Sequence, residues 1–175
     1  MRAPLFLALL VAAPLAAQTA HNSNAPIDFG ADNIELQDKA NRAILSGSVS
    51  VKQAEMTLNA ARMTVTYTGQ VVGGNPQVSR LDASCGVTVR RPDQTAKSQY
   101  AIYDLNRRII TMLGAVTLVQ GGNTVNGGRL TINLDTGRAV IDGSSVRGSA
   151  GATPGSTTTA PSGRVTGTFS VPKRN

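Results

Sequence analysis

The chain has 175 residues, 41% hydrophobic and only 15% charged, which suits one domain or two small ones and excludes a long charged helix or coiled coil. Aromatics are 3% with no Trp, poor material for a nucleic-acid surface built on stacking, while one Cys and one His exclude a disulfide framework and an ordinary zinc site and leave little for a nucleophile–base pair. The formal net charge of +7 admits an anionic partner (nucleic acid, phosphate-bearing lipid or a membrane surface), and where the charge sits must choose among them.

Residues 1–20 open with Met1-Arg2 and continue as an apolar run from Ala3 to Ala17. A short basic start, an apolar stretch and small residues are the layout of a secretory signal peptide. The run is shorter than the roughly 20 residues of a bilayer span, and Pro4 and Pro14 weaken it as a helix. Cleavage after Ala17 or after Ala20 both fit; an uncleaved membrane anchor is the alternative. His21 then reads as an exposed residue at a loose mature N-terminus.

From about Ile27 to Asp142 the apolar period is two, the signature of half-buried strands. Val49 and Val51 alternate with Ser48, Ser50 and Lys52, and Met63, Val65 and Tyr67 with Arg62, Thr64 and Thr66. Val87 and Val89, Val116 and Leu118, and Leu130, Ile132 and Leu134 repeat the pattern. Breakers fall between the runs at Gly69, Gly73 to Pro76, Pro92-Asp93, Gly121 to Gly128 and Asp135-Thr136-Gly137, the last a hairpin-type turn. Ala54 to Ala61 is the best helical candidate, but Met56 and Leu58 fit a strand equally well. A loose internal repeat runs through this part: Gly47-Ser-Val49-Ser-Val51, Cys85-Gly-Val87-Thr-Val89 and Gly114-Ala-Val116-Thr-Leu118, at steps of 38 and 29 residues. Similar hairpins stacked in this way bury a continuous face only by adding neighbours, and they leave edge strands that invite pairing with another chain.

Residues 144–175 differ in kind. Gly148 to Gly163 is small, polar and rich in breakers, with too little apolar surface to offset the entropy of ordering, so it should be disordered. Arg164 to Asn175 alternates Val165, Phe169 and Val171 and ends basic; docking as a strand and staying loose both fit. Of the +7, one charge sits at Arg2 and four on Arg147, Arg164, Lys173 and Arg174, leaving the β region, with 12 basic and 10 acidic residues, at +2. A nucleic-acid module concentrates its charge as a stripe on the fold; here the excess belongs to the tail, and no nucleic-acid partner is expected.

The ordered strand units resemble the LptA/OstA-type periplasmic proteins of lipopolysaccharide transport. The resemblance rests on Ala31-Asp32 opening a strand, Gly47-x-Val49-x-Val51-x-Gln53, the alanine-initiated strand at 60–67, Tyr103-Asp104, Gly114-x-Val116-x-Leu118-x-Gln120-Gly121, Asn123, Gly127, and Leu130-x-Ile132-x-Leu134 before a Thr-Gly turn. It covers roughly residues 26–143. Cys85 in place of the repeat's glycine and Ala61-Arg62 in place of an Ala-Asp pair are departures, and the second removes a carboxylate. The resemblance implies an all-β chain: an incompletely closed, twisted antiparallel β-jelly roll, V-shaped in section, over 26–143. It implies a non-enzymatic periplasmic carrier of lipopolysaccharide, without cofactor or metal, bridging inner- and outer-membrane transport proteins by edge-strand pairing and assembling head to tail with its own copies.

Acyl chains need an apolar trough in water, since each buried CH₂ is worth about 0.8 kcal/mol. Small and β-branched linings leave room for chains that bulky aromatics would fill. The groove candidates are Val49, Val51, Leu58, Met63, Val65, Val87, Val89, Met112, Val116, Leu118, Leu130 and Ile132; a well-filled β-core fits the same residues. For the phosphates of lipid A, the candidates are the two basic pairs of the folded part, Arg90-Arg91 and Arg107-Arg108, the latter in an exposed turn; solvated turn residues are the plainer reading.

Other readings are weaker. Leu134-Asp135-Thr136-Gly137 matches the aspartic-protease triplet, but the later bracing element has no counterpart and a strand–turn–strand accounts for it. Gly121 to Gly128 lacks the Gly-Lys-Ser/Thr of a phosphate loop and reads as a hairpin loop. Cys85 reads as a small buried hydrophobe rather than a reactive thiol. Within the same transport system, the membrane-anchored periplasmic component shares the fold, whereas the outer-membrane component adds a barrel for which this chain is too short. A periplasmic structural β protein that binds no lipid is the remaining alternative.

Overall fold

The computed structural model describes residues 21–69, 74–143 and 165–168. The expected signal peptide and most of the expected tail lie outside these residues. Alternation of Val, Ile, Leu and Thr with polar residues gives, among the described residues, ten strands and no α-helix. They are β1 (Ile27–Gly30), β2 (Asn33–Gln37), β3 (Arg42–Gln53), β4 (Met56–Thr68), β5 (Gln77–Arg91), β6 (Gln94–Asp104), β7 (Ile109–Gln120), β8 (Asn123–Asn133), β9 (Ala139–Asp142) and β10 (Thr166–Thr168). From β3 to β8 each strand pairs antiparallel with the next. Both ends of this meander are split. β1 and β2 lie along different halves of β3, and β9 and β10 along different halves of β8. The two ends do not pair with each other among the described residues, so the sheet is not closed.

The internal repeat is the device that bends this sheet. Each repeat starts with two consecutive residues at positive φ: Gly47 and Ser48 in β3 (75° and 47°), Cys85 and Gly86 in β5 (65° and 81°), Gly114 and Ala115 in β7 (81° and 47°). Each pair coincides with a register shift, so the bulged strand carries one residue more than its neighbour, which kinks a strand and sharpens its twist. The straight strands β4, β6 and β8 alternate with the bulged ones. The row Ser46–Arg62–Ser84–Tyr100–Leu113–Arg129 runs across all six strands beside the bulges, so the kinks add into one crease.

The crease divides the sheet into two arms. The first ends in the Ala54-Glu55, Pro92-Asp93 and Gly121-Gly122 turns, the second in the turns at 105–108 and 134–136. In the straight strands the inward parity switches at the crease: Met56, Leu58 and Ala60 are buried in β4 before it, Met63, Val65 and Tyr67 after it. One apolar face therefore continues round the bend, and its side chains from both arms form a single buried cluster. This is the V-shaped, open β-jelly roll expected.

Four expectations need correction. His21 is buried, not exposed at a loose end, because hydrogen-bonding partners 32 and 34 residues away hold its ring. Cys85 is exposed, not a small core residue, because the bulge turns it out of the alternation. The span Gly121 to Gly128 is not a loop: only Gly121-Gly122 turns, and Asn123 to Gly128 is paired strand. Of the pair expected in an exposed turn, Arg107 is exposed but Arg108 is half-buried by its partners. As for the segment left open between docking and looseness, Thr166–Thr168 pairs with β8.

Candidate functional site

The inner face of the V carries the buried hydrophobic cluster of the described residues. All twelve groove candidates, Val49 through Ile132, belong to its buried cluster, the most exposed being Leu118 at 7%. Between them stand small residues, Ala43, Ala60, Ala83, Ala96 and Ala101, and only two aromatic rings, Tyr67 and Tyr103, enter the cluster. The sequence list omitted Leu45, Met56, Leu81, Ile110 and Leu134, which are equally buried. Met56 and Leu134 stand in the alternation already read from the sequence, while Leu45 and Ile110 each follow an isoleucine, which masks the period of two.

Where the tips of the two arms meet, opposite the crease, the apolar face gives way to a polar cluster. Gln53 is the last residue of β3, at the tip of the first arm; Tyr103 stands next to the turn that ends the second. The Tyr103 hydroxyl donates to Gln53 Oε1 at 2.7 Å, a buried bond across the mouth. Gln53 Nε2 donates to the carbonyls of Ser23 and Ala25 at 2.9 and 3.1 Å. The His21 ring lies between Gln53 Oε1 (Nε2, 3.3 Å) and Glu55 Oε1 (Nδ1, 3.2 Å). Burial pushes the Tyr103 phenol up to about 12, against smaller downward pulls from Gln53 and Arg108. A hydrogen bond from its backbone holds the Glu55 carboxyl below its ordinary value, and His21 and Arg91 add to this against desolvation.

The basic pairs fall on opposite sides of this mouth. Arg90 and Arg91 end β5 at the tip of the first arm; Arg90 is exposed and Arg91 half-buried, its charge felt by Glu55. Arg107 and Arg108 close the turn at the tip of the second arm. The Arg108 guanidinium donates to Asp135 at 3.1 Å and to Asn24 at 2.9 Å. Asp135, of the protease-like triplet, is thus a turn residue paired with arginine. Its turn is closed by Asn133 Oδ1, which accepts from the amides of Asp135 and Thr136. No group of His, Cys, Asp and Glu fit to hold a metal occurs among the described residues. The mouth thus gathers arginines and side-chain hydrogen-bond donors at the rim of the apolar cluster.

Comparison with known proteins agrees with this geometry. Residues 29–138 match the family described as LptA/(LptD N-terminal domain) LPS transport protein. An uncharacterized protein of Rhizobium meliloti (strain 1021) is 34% identical over 125 residues, which are 69% of this chain and 67% of that protein. Among solved structures, the fold is similar to that of LptH, described as the LptA homologous periplasmic component of the lipopolysaccharide transport device from Pseudomonas aeruginosa. The TM-score is 0.65 at 20% identity, covering 86% of this chain and 99% of that one.

Proposed function

The chain belongs to the LptA/LptD N-terminal domain family of lipopolysaccharide transport proteins, and from that premise we propose that it is a periplasmic carrier that holds lipid A acyl chains between the arms of the V. The single observation that supports this most is the one apolar cluster running from arm to arm, lined mainly by aliphatic side chains. Its side chains are fully packed against one another, so acyl chains enter by parting the arms about the crease. Parting exchanges contacts between side chains for contacts with lipid, and both are apolar. What loading gains is the removal of the acyl chains from water, about 0.8 kcal/mol per CH₂. Arg90 and Arg91 on one arm and Arg107 and Arg108 on the other flank the mouth, where the phosphates of the head group would lie.

The ends of the sheet support a bridging role. Phe29, Ile34 and Leu36 are exposed at the β1/β2 end and Val140 at the β9 end, apolar edge positions suited to strand addition by the inner- and outer-membrane partners or by a second copy. A second reading, a structural β domain that binds no lipid, is favoured by the near-complete burial of the cluster. Photo-crosslinking decides between them. A photoreactive residue at Val116 or Ile132 is expected to give lipopolysaccharide adducts in cells. Adducts only at the outward neighbours Thr117 and Thr131 would overturn the trough, and none at any position would favour the structural domain.

A further inference from the structure

Residues 21–26 precede β1 and make no sheet ladder, yet they bridge the two arms. The segment meets the first arm through His21 and through the carbonyls of Ser23 and Ala25, all on Gln53 or Glu55. It meets the second arm through Asn24, which accepts from Arg108. Three of these contacts are made to donors at the mouth of the trough, Gln53 Nε2 and the Arg108 guanidinium, with oxygens of Ser23, Ala25 and Asn24 as the acceptors, while the His21 ring meets the side-chain oxygens of Gln53 and Glu55. The docking is also incomplete, because the Ser23 hydroxyl is buried without a hydrogen-bond partner, a cost that undocking removes. Pro26 has no N–H with which to extend the ladder of β1.

We propose that residues 21–26 are a displaceable strap, whose Ser23, Ala25 and Asn24 oxygens occupy the Gln53 and Arg108 donors that oxygens of the lipid head group take over on loading. The proposal rests on the carrier reading above. Empty, the strap ties the arm tips together and keeps the apolar cluster from water. Loaded, the same donors hold the head group while the arms part, so closure and capture compete for one set of hydrogen bonds.

The test locks the strap without touching those donors. Asn24 and Asp135 bind the same guanidinium, so cysteines at the two positions lie within reach of a short bismaleimide. A Cys85→Gly background removes the exposed thiol. In the full mature chain, uptake of purified lipopolysaccharide is followed by native mass spectrometry. The linked N24C/D135C chain is expected to load about tenfold more slowly than the same chain unlinked, as the strap-free fraction falls. Asn24→Ala, a change on an exposed side chain, is expected to load faster than the parent. Equal rates for linked and unlinked chains, with the parent loading normally, overturn the strap alone. A parent chain that takes up no lipid overturns the carrier reading and the strap with it.

Discussion

Tyr103 is the residue on which the closed mouth turns. Its phenol is 1% exposed, and its hydroxyl spans the arm tips to Gln53. Burial raises its folded pKa from 10.0 to about 12, so the folded state holds this proton more tightly than the unfolded chain. The stability this contributes is fully present below pH 10 and is lost as the pH rises from 10 towards 12. The melting temperature of the parent is therefore expected to fall more steeply across that window than that of Tyr103→Phe. At neutral pH the phenylalanine costs about 1 kcal/mol, the net worth of one buried hydrogen bond. Parallel melting curves for the two chains between pH 10 and 12 would show that the phenol is not held neutral by the fold. None of this cluster was legible in the sequence. His21 reads as a loose end because Gln53 and Glu55 come to it only through the fold.

The bulge is the element that makes a flat meander into a V, and Cys85 is its weakest copy. At φ 65° a residue with a Cβ sits in the left-handed region, at a cost that glycine avoids, and a Cβ at the equivalent Gly47 would lie 2.3 Å from Asp32 Oδ2. Cys85→Gly is expected to stabilise the fold by about 1 kcal/mol, a mid-range strain of about 2 kcal/mol at such positions less about 1 kcal/mol for the added freedom of the unfolded chain. Urea unfolding monitored by circular dichroism measures it, and an unchanged or lower midpoint would mean that the bulge carries no strain at that site. The strands and their order were legible, because Val-x-Val with Thr between needs only a period of two. The repeat was visible too, but not as a crease: counting alternation cannot see that Gly47-Ser48, Cys85-Gly86 and Gly114-Ala115 are left-handed pairs. For the same reason the period of two places Cys85 inward, whereas the bulge turns it outward. The twelve groove candidates share one cluster because a continuous inner face collects every inward residue.

At the scale of the whole molecule the two split edges differ from each other. One presents Phe29, Ile34 and Leu36 on β1 and β2, the other Val140 on β9. An edge of one kind meeting an edge of the other generates a head-to-tail contact that does not close on itself, and repetition gives a filament. The neutral balance of the β region, 12 basic against 10 acidic residues, leaves no large repulsion between copies. Leu36→Lys blocks the first edge and Val140→Lys the second, both at exposed positions where the monomer fold loses little. Each variant alone is expected to sediment as a monomer at concentrations where the parent forms a ladder of larger species. Mixed together they are expected to give dimers and nothing longer, because one supplies the intact second edge and the other the intact first. Self-pairing of like edges makes the opposite prediction: each variant alone would still dimerise through its unblocked edge, and mixing would add no new species. Sedimentation velocity on the two variants and their mixture separates the cases, and dimers from either variant alone would sink the head-to-tail arrangement.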